Sequence, residues 1–135
     1  MIEYKIDRAG SIDLLNSYWD NNEPFQIYAM KGVPPTAEEA RDINFDSRPE
    51  DVLGYAHYCL FRTGNLVTPV NFTPTQDGLI TWVKIYKYSG HENMVLTTDH
   101  VGIEGTNNHI WFKTLNCVVG TPNTVVQAYL HFDLA

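Results

Sequence analysis

From Val52 to the C-terminus, apolar runs alternate with turn signals and none continues long without a break. The run TVVQAYLHFDL, residues 124–134, shows the pattern most clearly. Val126, Ala128, Leu130, Phe132 and Leu134 alternate with Gln127, Tyr129, His131 and Asp133. Successive side chains of an extended strand point to opposite faces, so this alternation predicts one face on a core and one face polar. Upstream, VLGYAHYCLF (52–61) is apolar on both parities and predicts a strand buried on both sides. NLVTPV (65–70) contains Pro69, which has no ladder N–H to give, and this places the run at an edge or bulge. LITWVKIYKY (79–88) is the longest strand candidate, followed by MVLTTDHV (94–101) and HIWFKTLNCVV (109–119). Between them, TPTQDG, SGHEN, GIEGTNN and GTPN supply the Gly, Asn, Asp and Pro that tight turns require. Short strands at roughly ten-residue spacing predict a mainly β fold, an antiparallel β-sandwich of jelly-roll-like or Ig-like type.

The first third of the chain reads differently. Ser11 is placed to cap a short N-terminal helix in which Ile12, Leu15 and Trp19 share a face, widened by Leu14 and Tyr18. DNNEP, residues 20–24, ends it, so residues 1–24 form an N-terminal helical segment. FQIYAM predicts a strand over 25–30. Residues 31–51 then lack any period-two pattern and contain Pro34, Pro35 and Pro49, which predicts a long loop. Within it, TAEEAR has the spacing of a single capped helical turn, with Thr36 as cap and Glu39 closing the box. The whole chain, 1–135, fits one domain with one core.

Composition narrows the function classes. The net charge is −7 and the basic residues are scattered singly, which argues against nucleic acid and against an anionic membrane. The opening MIEYKIDRAGSID lacks the apolar stretch of a signal peptide, and no run nears the ~20 apolar residues of a membrane helix. The expectation is assembly in the cytoplasm. Charged residues are 19% of the chain and aromatic ones 13%, a balance suited to a β protein partly covered by neighbours. Cys59 and Cys117 lie in apolar, strand-like surroundings and read as buried free thiols.

No residue pattern points to chemistry. His57, His91, His100, His109 and His131 show no metal-ligand spacing. Ser89 precedes Gly90 without the elbow that exposes a nucleophile. Asp99 and His100 are neighbours on an expected strand, which would send their side chains to opposite faces. Asp42, Asp46, Glu50 and Asp51, with Asn44, read as a solvated acidic loop rather than a calcium loop. No catalytic residue, cofactor or metal is expected. The aromatics divide two ways. If Val83 and Ile85 face the core, Trp82, Lys84, Tyr86 and Tyr88 form an outward row that either contacts a partner or lies beneath a second layer.

Several segments resemble, in order, those of a group of small tailed-bacteriophage virion structural proteins. PFQIYAMKGVPPTAEEA, VKIYKYSGHEN, VGIEGTNNHIWF and GTPNTVVQAYLHFD match the group's motifs over residues 11–133. Val83 stands where the group usually has Trp, and Tyr88 looks inserted before the turn. The resemblance implies a compact β-sandwich and a virion role without catalysis: capsid decoration or cement, or a neck or tail component assembled in the host cytoplasm. Binding to other virion proteins, as a homo-oligomer, would then run through edge strands and through Trp82, Tyr86, Tyr88, Pro34, Pro35 and Tyr129. A carbohydrate- or receptor-binding module of a tail fibre is the alternative. It would use Trp82 and Trp111 as stacking rings and Asn107 and Asn108 as polar grips. A small hydrolase is a weaker third reading, since no nucleophile, base and orienter assemble from the sequence.

Overall fold

The computed structural model describes residues 2–5, 24–40, 42–44, 46–62, 64–87 and 95–129. The expected helix at Ser11–Trp19, the SGHEN turn, Tyr88 and the end of the last strand beyond Tyr129 lie outside the described residues. The chain is mainly β, as its punctuation predicts. The strands are β1 (Ile2–Lys5), β2 (Phe25–Met30), β3 (Val52–Cys59), β4 (Phe61–Arg62), β5 (Asn65–Leu66), β6 (Val70–Phe72) and β7 (Gly78–Leu79). They continue with β8 (Trp82–Lys87), β9 (Val95–Thr98), β10 (Val101–Ile103), β11 (Ile110–Phe112), β12 (Asn116–Cys117) and β13 (Asn123–Ala128). Between β2 and β3 lie a 3-10 turn (Pro49–Asp51) and, before it, one α-helical turn, α1 (Ala37–Ala40). Its box closes as the sequence predicts. The Thr36 N–H donates to Glu39 Oε1 at 3.0 Å and the Glu39 N–H to Thr36 Oγ1 at 3.2 Å.

Two larger sheets organise these strands. A five-stranded sheet runs β1-β9-β8-β2-β3, with every pairing antiparallel. A four-stranded sheet runs β10-β11-β13-β6. Its β10–β11 pair is parallel, a departure from the all-antiparallel expectation. Two-stranded ribbons, β7–β12 and β4–β5, complete the set.

The runs LITWVKIYKY, MVLTTDHV and HIWFKTLNCVV each contribute to two sheets. LITWVKIYKY divides into β7 and β8 at Ile80–Thr81. There Ile80 N–H reaches Leu115 C=O and Thr81 N–H reaches Met30 C=O, so the chain changes partners mid-run. MVLTTDHV divides at Asp99–His100 into β9 of the larger sheet and β10 of the smaller. HIWFKTLNCVV divides into β11 and β12. Bends between sheets leave hydrophobic composition unchanged, so the sequence shows one run where the structure has two strands.

A single apolar cluster draws Phe25, Ile27, Leu53, Val83, Ile85 and Leu96 from the five-stranded sheet. It draws Phe72, Ile110, Phe112, Val125 and Ala128 from the four-stranded one. Gly54 permits a close approach between the two sheets: a Cβ there would sit 3.0 Å from Phe72 Cδ2 and 3.2 Å from the Pro74 Cα. Both cysteines are free and buried, and burial pushes the Cys59 thiol up to about 12.

Two sequence expectations change here. VLGYAHYCLF was expected to be buried on both faces, yet β3 is the outermost strand of its sheet and exposes Tyr55, His57 and Tyr58. In β13, the alternation predicted Val126 and Ala128 inward. Instead Val125 and Ala128 are buried and Val126 is only partly covered. The ladder pairs Trp111 with Gln127 but Phe112 with Val125, so Val126 is the extra residue of a bulge and the parity flips across it.

Candidate contact surface

The row on β8 is where burial most alters the sequence reading. Val83 and Ile85 do face the core, but the opposite face of the strand is closed as well. Trp82 is 0% exposed and Lys84 1% exposed, and Tyr86 is also buried. β8 lies in the middle of its sheet, and the 31–51 segment folds across its outer face. The Arg48 guanidinium sits 4.7 Å above the Trp82 ring. Arg48 Nε donates to Asp51 Oδ2 at 2.8 Å and Nη1 to the Val33 carbonyl at 2.7 Å. The indole Nε1 donates to the Lys31 carbonyl at 3.0 Å. Lys84 Nζ donates to the Ser47 carbonyl at 2.7 Å. Burial lowers the Lys84 ammonium's pKa; the nearby Asp46 and Glu50 carboxylates oppose that shift. Ile43 packs with Tyr86 and Val95 to close the remaining surface. The loop is therefore the second layer over an aromatic row expected to face outward.

The exposed rings are on β3 instead. Phe25 pairs with Cys59 and Ile27 with Ala56, so two β3 residues, His57 and Tyr58, lie opposite Gln26 alone. This bulge turns consecutive side chains outward. Tyr58 is 57% exposed and Tyr55 43%. It also breaks the regular ladder that a partner strand would need at this edge, so β3 offers rings more readily than backbone.

The rings are held from behind. Gln26 Nε2 lies 3.1 Å from His57 Nδ1, a contact that assigns the imidazole proton to Nε2 when the amide donates. Gln26 Oε1 accepts the Tyr86 hydroxyl in a short contact, and the Tyr86 and Tyr28 hydroxyls lie 3.0 Å apart. With its single proton on Gln26, Tyr86 accepts from Tyr28. Burial raises the Tyr28 phenol's pKa, and the Tyr86 hydroxyl beside it opposes that shift. Tyr28 stacks on Tyr55 at 4.8 Å between centroids, 12° from parallel, and Tyr55 meets His57 edge-on at 5.9 Å. Lys84 Nζ lies 5.6 Å above the Tyr28 ring. Five side chains thus close a ring of contacts, and its outer arc is the exposed Tyr55–His57 pair beside Tyr58. Such anchoring lowers the side-chain entropy lost on binding.

The other expected contact residues are dispersed. Pro34 and Pro35 are half-buried beside the exposed Val33, and Tyr129 is 41% exposed where it bridges Asn65. Trp82 is unavailable as a stacking ring. Trp111 is half-buried on the four-stranded sheet, with its Nε1 donating to the Thr106 carbonyl at 3.1 Å. Asn108 Nδ2 lies 3.1 Å from Thr106 Oγ1 beside it.

One chemical expectation is corrected. Asp99 and His100 are not on a strand, because β9 ends at Thr98, and His100 Nε2 comes within 3.8 Å of Asp99 Oδ1. That distance is too long for a hydrogen bond. Among the described residues, no group of three or more His, Cys, Asp or Glu side chains is placed to hold a metal ion. The acidic loop residues Asp42, Asp46 and Glu50 are exposed, while Asp51 is tied to Arg48. No helix of the described residues is long and apolar enough to cross a membrane.

No protein family matches the chain, and neither curated proteins nor solved structures include one similar to it.

Proposed function

We propose that this chain is a non-catalytic structural component of a bacteriophage virion, acting by protein–protein binding. It would serve as an accessory capsid decoration or cement protein, or at the neck or tail, after assembly in the host cytoplasm. The observation that carries the binding reading is the exposed row of Tyr55, His57 and Tyr58 on an outermost strand, with Tyr55 and His57 anchored from behind. Tyrosines of this kind supply much contact energy for little lost freedom. The virion assignment rests on the ordered segment resemblance. The finer architecture we propose is an antiparallel sandwich, jelly-roll-like or Ig-like, with the two larger sheets facing across the shared apolar cluster. Homo-oligomers and other virion proteins are the partners that fit this reading.

Gradient-purified particles should contain the protein by mass spectrometry, and its absence there refutes the proposal. Tyr58→Ala, with an unchanged melting temperature, should weaken binding to particles lacking the protein by about tenfold or more. Unchanged binding would move the contact away from β3.

Trp111 favours a second reading. Its ring, with Asn108 and Thr106 at one edge and Gln127 across the ladder, has the uncharged polar surroundings of a sugar-stacking site in a tail-fibre receptor-binding module. Glycan-array binding abolished by Trp111→Ala, with Tyr58→Ala harmless, would favour that reading over the first.

A further inference from the structure

The rings on the outer face of the five-stranded sheet carry cations in turn. On β8, the Arg48 guanidinium lies 4.7 Å from the centroid of Trp82. One strand over, Tyr28 of β2 pairs with Lys84 in the ladder, and the Lys84 Nζ lies 5.6 Å from its ring. One strand further, Tyr55 of β3 pairs with Tyr28 and stacks on it. Tyr55 and Tyr58 are exposed, and among the described residues no cation stands over either ring, Arg62 of β4 included. Both inner cations have carboxylates to match. Arg48 is paired with Asp51, and the Asp46 and Glu50 carboxylates attract the Lys84 ammonium. Asp46 and Glu50 are themselves exposed, while Lys84 is only 1% exposed and Arg48 is held against Trp82. Toward solvent, this corner presents carboxylates on the β8 side of two bare tyrosine faces.

We propose that Tyr55 and Tyr58, flanked by Asp46 and Glu50, dock an arginine-bearing basic segment of another protein. A guanidinium is planar, stacks on a tyrosine face and pairs with a carboxylate through its fork. A partner's arginine would thus repeat outside what Arg48 does inside, between Trp82 and Asp51. Exposed carboxylates alone hold a cation weakly, so the rings are what give this surface its direction. Charge argues against a second copy as the occupant. The chain carries a net −7, and a matching corner would bring like carboxylates together. β3 itself, VLGYAHYC, has no Asp, Glu, Lys or Arg, so nothing on the strand repels a cation.

The full folded chain, titrated with a hexa-arginine peptide capped at both ends, tests this at neutral pH and physiological salt. Tyr58→Leu keeps apolar bulk and loses the π face, and should weaken binding about threefold or more. Tyr58→Phe keeps the face and should bind as the native chain does. Asp46→Asn with Glu50→Gln should weaken binding about threefold or more as well. Asp99→Asn with Glu104→Gln removes the same charge from exposed positions flanking β10, and should weaken it less. Amide shifts on adding peptide to the native chain should centre on Tyr55 and Tyr58, a measurement that needs no variant.

No peptide binding by the native chain, shifts centred elsewhere, or equal binding by Tyr58→Leu and Tyr58→Phe would each overturn the proposal. Equal losses from the two charge pairs would also overturn it, by showing attraction to net charge alone. The inference names the partner of the contact surface proposed above and rests on that reading for its role on a particle, yet the two fail separately. If Tyr58→Ala weakens attachment to particles and Asp46→Asn with Glu50→Gln does not, the contact surface stands and the basic partner falls. If the peptide binds as expected while Tyr58→Ala attaches normally, the cation site stands and the attachment reading falls.

Discussion

Arg48 sits in the left-handed region at φ 55, an unusual place for a residue with a Cβ. Strain of this kind persists only when surrounding contacts over-determine it. Here the contacts are the Trp82 face, the Asp51 carboxylate and the Val33 carbonyl. Arg48→Ala loses all three and keeps the strain, so it should destabilise by about 2 kcal/mol or more. Arg48→Gly loses the contacts but relaxes the backbone, and should cost less. Chemical denaturation measures both, and red-shifted tryptophan emission in either variant would show that Trp82 has been uncovered. The sequence shows one part of this corner and hides the other. The Thr36–Glu39 box is legible because its partners are three residues apart and their chemistry is local. The Arg48–Trp82 contact joins distant residues, and nothing near either one announces the other.

At the level of strands, sequence parity is informative but exposure is not. The division of β8 into Val83 and Ile85 against Trp82, Lys84 and Tyr86 is correct, because pleating fixes it. Whether the second face meets water depends on the strand's place in the sheet and on the loop above it, and neither is written in β8. The converse holds for β3, whose doubly apolar run looks interior and lies outermost. The bulge in β13 is a third case, since a single extra residue reverses which valine faces inward. That reversal gives a direct test. Val125→Thr buries a hydroxyl and should cost more than about 1 kcal/mol, whereas Val126→Thr should stay within about 0.5 kcal/mol. The reverse order, Val126→Thr the costlier by thermal or urea denaturation, would mean that the alternation continues unbroken through the strand.

Across the whole molecule, residues of both larger sheets share one apolar cluster, so neither sheet keeps its inner face covered if the other leaves. Far-UV circular dichroism and tryptophan fluorescence should therefore report a single coincident unfolding transition. Two separated transitions would mean that the sheets hold separate cores, and the proposed sandwich would fall. The bulge opposite Gln26 has a consequence at this scale too. A flat outer strand recruits copies of itself and grows into fibres. With its ladder interrupted at His57 and Tyr58, β3 gives a crowded solution of identical chains no template to extend on that side. On that side the bulge works against strand-by-strand growth.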